Sequence, residues 1–202
     1  MPLEAGSGPA NPPCPACGEP LFGWTTAGSG EPVRRCEACG LAVIGDPGST
    51  ADAREELERH RVEGGDDPRY RLPNRASFQA WLAGRSWAAI EPGVHYLFTP
   101  EAVRRLAAGR DQTVRRVRWR PGAAIVAMWG TLVNSFTFGH NIGLAAIRRG
   151  VPEQATRAWQ RRLDVFISVA TAPPVLIAAL LMESAAGLAR RGGVVELTLR
   201  LE

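Results

Sequence analysis

The sequence has no lysine: all 24 of its basic residues are arginine. With alanine, glycine and proline abundant, this reads as a GC-rich coding bias, so arginine in place of lysine says little about function. Cysteine is scarce, four in 202 residues, which excludes a disulfide-stapled scaffold. A net charge of only +4, with 45% hydrophobic residues, excludes an intrinsically disordered chain. No self-similar period runs through the sequence, which excludes a repeat array. Met1 to Pro13 lack the apolar segment of a secretory leader. Residues 1–13 are therefore expected to be a flexible tail, and the protein to be cytoplasmic with reduced thiols. The length suits one ordinary domain plus a small satellite.

What is present is unevenly distributed. Residues 1–102 hold 9 arginines and 14 acids, whereas residues 103–202 hold 15 arginines and 6 acids. A basic, apolar second half suits an anionic membrane surface or an acidic partner. A solvated basic face without a partner has the same composition. Arg34 and Arg35 alone do not make a nucleic-acid surface, and no nucleic-acid signature is evident.

The four cysteines form two knuckles, Cys14-Pro-Ala-Cys17-Gly and Cys36-Glu-Ala-Cys39-Gly, separated by 18 residues. That spacing matches tetrahedral zinc. Two thiolates two residues apart can bite one ion, and the following glycine lets the backbone turn tightly toward the sulfurs. Four cysteines close the shell, so the expected zinc is structural, with no open position for substrate. A ribbon over residues 14–48 has little core of its own, and zinc should supply much of its folding energy.

Beyond the ribbon, Ser49 or Thr50 caps a helix over about 51–62, and residues 49–71 read as helix and linker, with a hinge at 64–69. Asn74 caps a helix over about 75–83 that Gly84 stops. Val94 to Phe98 is a short strand. Thr99-Pro100 opens a helix that ends at Gly109. Residues 113–119 and 194–201 alternate as strands. Between them lie two apolar stretches. Ala123 to Ile147 has no charged side chain, and Val165 to Met182 is uncharged over 18 residues, interrupted by Pro173-Pro174. Gly192-Gly193 caps the second.

In this order, the motifs resemble those of bacterial class I S-adenosylmethionine-dependent methyltransferases that carry an N-terminal zinc ribbon. The matching residues are Cys14-Pro15-Ala16-Cys17-Gly18 and Arg35-Cys36-Glu37-Ala38-Cys39-Gly40-Leu41. They continue with Leu72-Pro73-Asn74, Ser77, Gly84, Trp87, Pro92, His95, Phe98-Thr99-Pro100, Val103 and Leu106, and then Arg190 to Gly193 before the last strand. The resemblance covers about residues 14–60 and 72–202. It implies an α+β fold: the ribbon, then the C-terminal part of a Rossmann-like domain over 72–202, with apolar helices at about 122–147 and 153–190.

The family's cofactor site lies in the first half of its Rossmann-like domain, in a glycine-rich turn and a following acidic residue. Here only about ten residues, Glu63 to Leu72, stand in that place, and no GxGxG occurs. The resemblance therefore implies a half-sheet with an edge to be covered and no cofactor pocket of its own.

The resemblance also makes His95 the candidate catalytic residue, a general base or orienting group; a histidine bonded to backbone is the alternative. Asn74 sits at a matching position and is equally a helix cap. His60 is expected exposed, and His140 a loop residue with a satisfied hydrogen bond. The apolar stretches read as core helices, interfacial helices or a membrane hairpin. Arg148, Arg149, Arg157, Arg161, Arg162, Arg190 and Arg191 flank them, as suits an anionic leaflet. The function expected is a non-catalytic, methyltransferase-like binding or scaffold module, peripheral on the inner face of the plasma membrane. The alternative is a methyltransferase acting on a sugar, lipid-linked or small acceptor. Its S-adenosylmethionine site would then be completed by a partner chain or a homodimer.

Overall fold

The computed structural model describes residues 11–27, 29–62, 67–91, 93–147 and 157–201. They form an α+β fold with two antiparallel sheets and seven helices. The first sheet orders β1 (Leu21–Thr26), β2 (Pro32–Cys36), β3 (Ala42–Ile44) and β6 (Tyr96–Leu97). The second orders β4 (Arg61–Val62), β5 (Arg69–Pro73), β8 (Val194–Leu201) and β7 (Gln112–Trp119). The ribbon sheet is thus completed by Tyr96–Leu97 from beyond the ribbon, with Ala42 opposite Leu97. The expected last pair is present, Val117 facing Leu197 and Trp119 facing Val195.

Residues 49–71 supply more than a helix and a linker. Arg69–Pro73 lies against β8, Tyr70 opposite Leu197, and the two-residue β4 covers its outer edge. Of the expected hinge at 64–69, residues 64–66 lie outside the described residues, as do residues 1–10 of the expected tail, and Arg69 belongs to β5. Residues 11–13 are not tail: the Leu21 N–H donates to the Pro12 carbonyl at 2.9 Å, and Pro13 bridges Pro20.

Local signals start three helices. Ser49 and Asp52 form a reciprocal capping box at α1 (Thr50–Arg59). This helix ends before the expected residue 62 because Arg61 and Val62 pair with β5 instead. Ser77, not Asn74, caps α2 (Phe78–Ala83), accepting from the Ala80 N–H. Asn74 is buried, donates to the Gly192 carbonyl at 3.1 Å, and accepts from the Ala76 N–H, a local turn rather than a cap. Thr99 caps α3 (Pro100–Ala108), with proline in the first turn.

One core joins both sheets. Leu21, Leu41 and Val43 from the ribbon sheet meet Leu57, Val103 and Leu106 from α1 and α3, and Leu72, Leu197 and Leu199 from the second sheet. The other ribbon face buries Val33, Ile44 and Trp87.

The apolar stretches become four helices rather than two. Residues 122–147 divide into α4 (Pro121–Asn134) and α5 (Ile142–Ile147). Asn141 breaks them with φ 58°, a conformation asparagine tolerates. Its side chain donates to the Ala88 carbonyl and exchanges hydrogen bonds with Asn134. The described part of 153–190 divides into α6 (Ala158–Ala170) and α7 (Ala172–Leu188), bent by 64°. Pro173-Pro174 does not interrupt a helix; it sits in the first turn of α7, where the missing N–H groups cost nothing. Gly192 and Gly193 are not the helix cap either. α7 ends at Leu188, Arg190 takes φ 58°, and the two glycines leave room for the Trp119 and Gln79 side chains.

Two fully buried acids fasten these helices to the body. Asp164 of α6 accepts from the Phe138 and Gly139 N–H groups at 2.9 and 3.0 Å. Glu183 of α7 accepts from Gln79 Nε2 at 2.7 Å, from Trp119 Nε1 at 3.2 Å and from the Gly193 N–H. Buried acceptors bonded this way hold a helix in one orientation, because releasing any donor leaves it unpaired.

His60, expected exposed, is half-buried with its ring edge-on to Phe98 at 6.2 Å. Burial holds its pKa below the ordinary 6.5. The unfolded chain therefore takes up this proton more readily than the folded one, and stability falls as pH drops below about 6.5. In urea unfolding at pH 7.5 and 5.5, His60→Gln should lose less stability on acidification than the parent chain. An equal loss would refute this.

Candidate metal centre

Cys14 and Cys17 precede β1, Cys36 ends β2, and Cys39 lies in the turn before β3. The antiparallel pairing brings the two knuckles together, with Leu21 opposite Cys36. All four Sγ atoms lie within 4.8 Å of one another. Cys14 and Cys39 are 3.6 Å apart, and Cys17 and Cys36 are 3.5 Å apart. A tetrahedron with metal–sulfur bonds of about 2.3 Å has sulfur edges of about 3.8 Å. The cluster therefore fits a single ion such as zinc, and the expected ligands Cys14, Cys17, Cys36 and Cys39 are the four that converge.

Each knuckle is closed by its glycine. The Gly18 N–H donates to the Cys14 carbonyl at 2.8 Å, and the Gly40 N–H to the Cys36 carbonyl at 3.0 Å. Gly18 and Gly40 have φ +80° and +75°, which favours glycine. At Gly40 space is also short: a Cβ would lie 2.8 Å from Thr99 Cγ2.

The thiols share their protons unequally. A hydrogen bond from Cys39 pushes Cys14 down to about 5, and the same bond raises Cys39. Burial pushes Cys17 up to about 11. Three of the four are buried, so four thiolates there require a compensating cation.

The centre is tied to the rest of the chain by two hydroxyls. Thr50, at the start of α1, donates to the Pro15 carbonyl at 2.6 Å. Thr99, the α3 cap, donates to the Cys39 carbonyl while accepting from the Ala102 N–H at 3.0 Å. Tyr96 adds a third tie, its hydroxyl donating to the Pro47 carbonyl at 2.9 Å. The sequence offers Ser49 or Thr50 as one cap and Thr99 as another; Ser49 takes the first role, and nothing in the sequence marks the bonds of Thr50 and Thr99 to the knuckles.

His95 lies apart from the metal centre. Its carbonyl accepts from the Ile44 N–H at 2.8 Å, and its exposed side chain stands at the rim of two depressions. One is small and acidic, with Asp46, Asp52, Glu55 and Glu56. The other is a cleft of about 840 Å³ between the ribbon and the α4–α5 loop, and it also receives His140. His140 was expected to be satisfied. Its Nδ1 is 3.4 Å from the Asn134 amide, but its buried Nε2 has no partner among the described residues. Burial lowers its pKa, against the pull of the Trp87 and Ile90 carbonyls. Asn74 is bonded to the β8 turn and reaches neither depression. Sequence reasoning missed Asp164 and Glu183. The one available signal was an isolated acid, Glu183, ending the uncharged run at Met182.

No protein family, curated protein or solved structure matches this chain.

Purified protein should retain one zinc equivalent by elemental analysis, and Cys36→Ser should lose it along with the thermal transition. Thr99→Val keeps the shape but removes both hydroxyl bonds. It should cost about 2–4 kcal/mol, summing a lost cap and an unpaired buried carbonyl. The check is urea unfolding at fixed zinc; a loss under 1 kcal/mol would show that the tie contributes little.

Proposed function

We propose that this chain is a non-catalytic binding module, a degenerate relative of ribbon-bearing class I methyltransferases, that sits on the anionic inner face of the plasma membrane. Zinc closes its four-thiolate centre and acts structurally, since no coordination position is left for a substrate. The absence of a GxGxG turn supports the non-catalytic reading. The strand pair 113–119 and 194–201 supports the relation to the family.

The observation that carries the membrane reading is the outer side of α6 and α7. Phe166 is 68% exposed, Leu181 65% and Leu188 87%, with Trp159, Val169 and Ile177 also exposed. Phe138 stacks edge-on against Trp159 at 5.9 Å and is itself exposed. Large apolar side chains left exposed together on neighbouring helices mark an interaction site. Exposed Arg157, Arg161, Arg162, Arg190 and Arg191 stand at the helix ends. Arg148 and Arg149 lie outside the described residues. Arginines beside an apolar face are the chemistry of an interfacial helix on an anionic leaflet.

No single described helix is long and apolar enough to cross a membrane, and the bent pair meets that test only jointly. Asp164 and Glu183 bond to donors in the body of the fold and hold the inner sides of both helices. This favours helices lying in the interface over helices crossing it.

Co-sedimentation with vesicles tests the reading. The zinc-loaded chain should bind vesicles containing phosphatidylglycerol and bind phosphatidylcholine alone much less. Phe166→Asp with Leu181→Asp should lower partitioning at least tenfold, since each side chain forgoes about 1 kcal/mol or more of apolar burial. Unchanged binding by that folded variant would overturn the membrane reading. Calorimetric titration with S-adenosylmethionine should give no binding heat, and micromolar binding would overturn the non-catalytic one.

A further inference from the structure

The second sheet has one covered face and one bare face. Tyr70, Leu72, Val195, Leu197 and Leu199 point into the core beneath α1 and α3. Strand alternation puts Arg69 and Arg71 of β5, and Glu196, Thr198 and Arg200 of β8, on the opposite face. On β7 the register places Arg118 opposite Glu196, Arg116 opposite Thr198, and Thr113 opposite Arg200. Two rows therefore cross the sheet, Arg71–Glu196–Arg118 and Arg69–Thr198–Arg116. A bulge between Val114 and Arg116 keeps this register.

The only carboxylate in those rows is consumed from within. Glu196 is buried, bonded to Arg71 at 3.2 Å and to Arg120. Arg116, Arg118 and Arg200 are exposed and have no ion-pair partner among the described residues. The sequence did not display this cluster, because its arginines come from three strands spread over more than a hundred residues of chain.

We infer that this bare sheet face binds the phosphodiester backbone of a nucleic-acid duplex without reading its sequence. The array is rigid: the arginine stems are spaced by the ladder, about 5 Å between strands and about 7 Å along them. Arginine and threonine are the side chains that contact phosphate oxygens. The sheet rows bear no aromatic side chain on this face for bases to stack on, which argues against a single strand. The one apolar pair on this face, Pro73 opposite Val194, lies at its end with Val194 buried, and the arginine rows themselves bear no apolar side chain to enter lipid, which argues against a bilayer. A sequence pI of about 9.3 agrees with a polyanionic partner. The inference is independent of the membrane reading, which uses a different surface.

The test is fluorescence anisotropy of a labelled 20-base-pair DNA duplex with the full zinc-loaded chain. With about three phosphates neutralised, by Arg116, Arg118 and Arg200, log K should fall against log salt with a slope of about −3, a loss of about 40-fold between 50 and 200 mM. Arg116→Gln with Arg118→Gln should reduce the slope by about two. Arg104→Gln with Arg105→Gln, an equal charge loss on α3, should leave the slope unchanged. Both pairs are exposed, and circular dichroism checks their folding; Arg200→Gln, which should reduce the slope by about one, replaces the first pair if it misfolds. No binding at 50 mM salt would overturn the inference. So would equal effects of the two pairs, or a loss confined to phosphatidylglycerol vesicles with duplex binding intact.

Discussion

The convergence of four sulfur atoms is the constraint on which the rest of this fold depends. Cys14, Cys36 and Cys39 are part of the main core, packed in one cluster with Leu21, Phe98, Leu197 and Leu199. A metal ion held there does more than close a loop. It neutralises thiolates that would otherwise be charged and buried, and it fixes one wall against which α1, α3 and the second sheet pack. The hydroxyls of Thr50 and Thr99 carry that geometry outward by joining each knuckle to the first turn of a helix. The ribbon is thus structurally continuous with the domain that follows it.

The helical layer is governed by a different interaction. Its inner sides are held by buried carboxylates bonded to backbone and side-chain donors, and its outer sides are apolar and exposed. Each feature constrains the other. Fixed inner sides keep the apolar outer residues from turning inward, and they leave α6 and α7 presenting one defined surface. The basic sheet face is built by a third device, strand register, and its only buried acid is satisfied by arginines of the same face.

What could be read from the sequence was local. The convergence of Cys14, Cys17, Cys36 and Cys39 followed from their spacing, because short-range turns decide where two thiols can meet. A cap at Ser49 or Thr50 and another at Thr99 were legible, and 113–119 and 194–201 as strands, because period and capping chemistry act within a few residues. Where a distant contact overrides a local signal, the sequence reads wrongly. Asn74 reads as the cap of the helix over about 75–83, but a contact with Gly192, over a hundred residues away, draws it out of that role, and Ser77 caps the helix instead.

Tertiary structure decided whatever depended on distant partners. Residues 61–62 became an edge strand because β5 was there to pair with them. His60 was drawn against Phe98 by the packing of α1 on the core. The first long apolar stretch broke where Asn134 and Asn141 found partners in the 86–91 turn, and the second bent at Thr171, between the helices that Asp164 and Glu183 hold through buried donors. By itself the sequence determined which four cysteines converge, the starts of α1 and α3, and the α+β composition, all set by interactions within a few residues. Only the tertiary structure determined which faces are buried, which arginines stand together and which apolar residues remain outside, because each depends on register and packing between segments far apart in the chain.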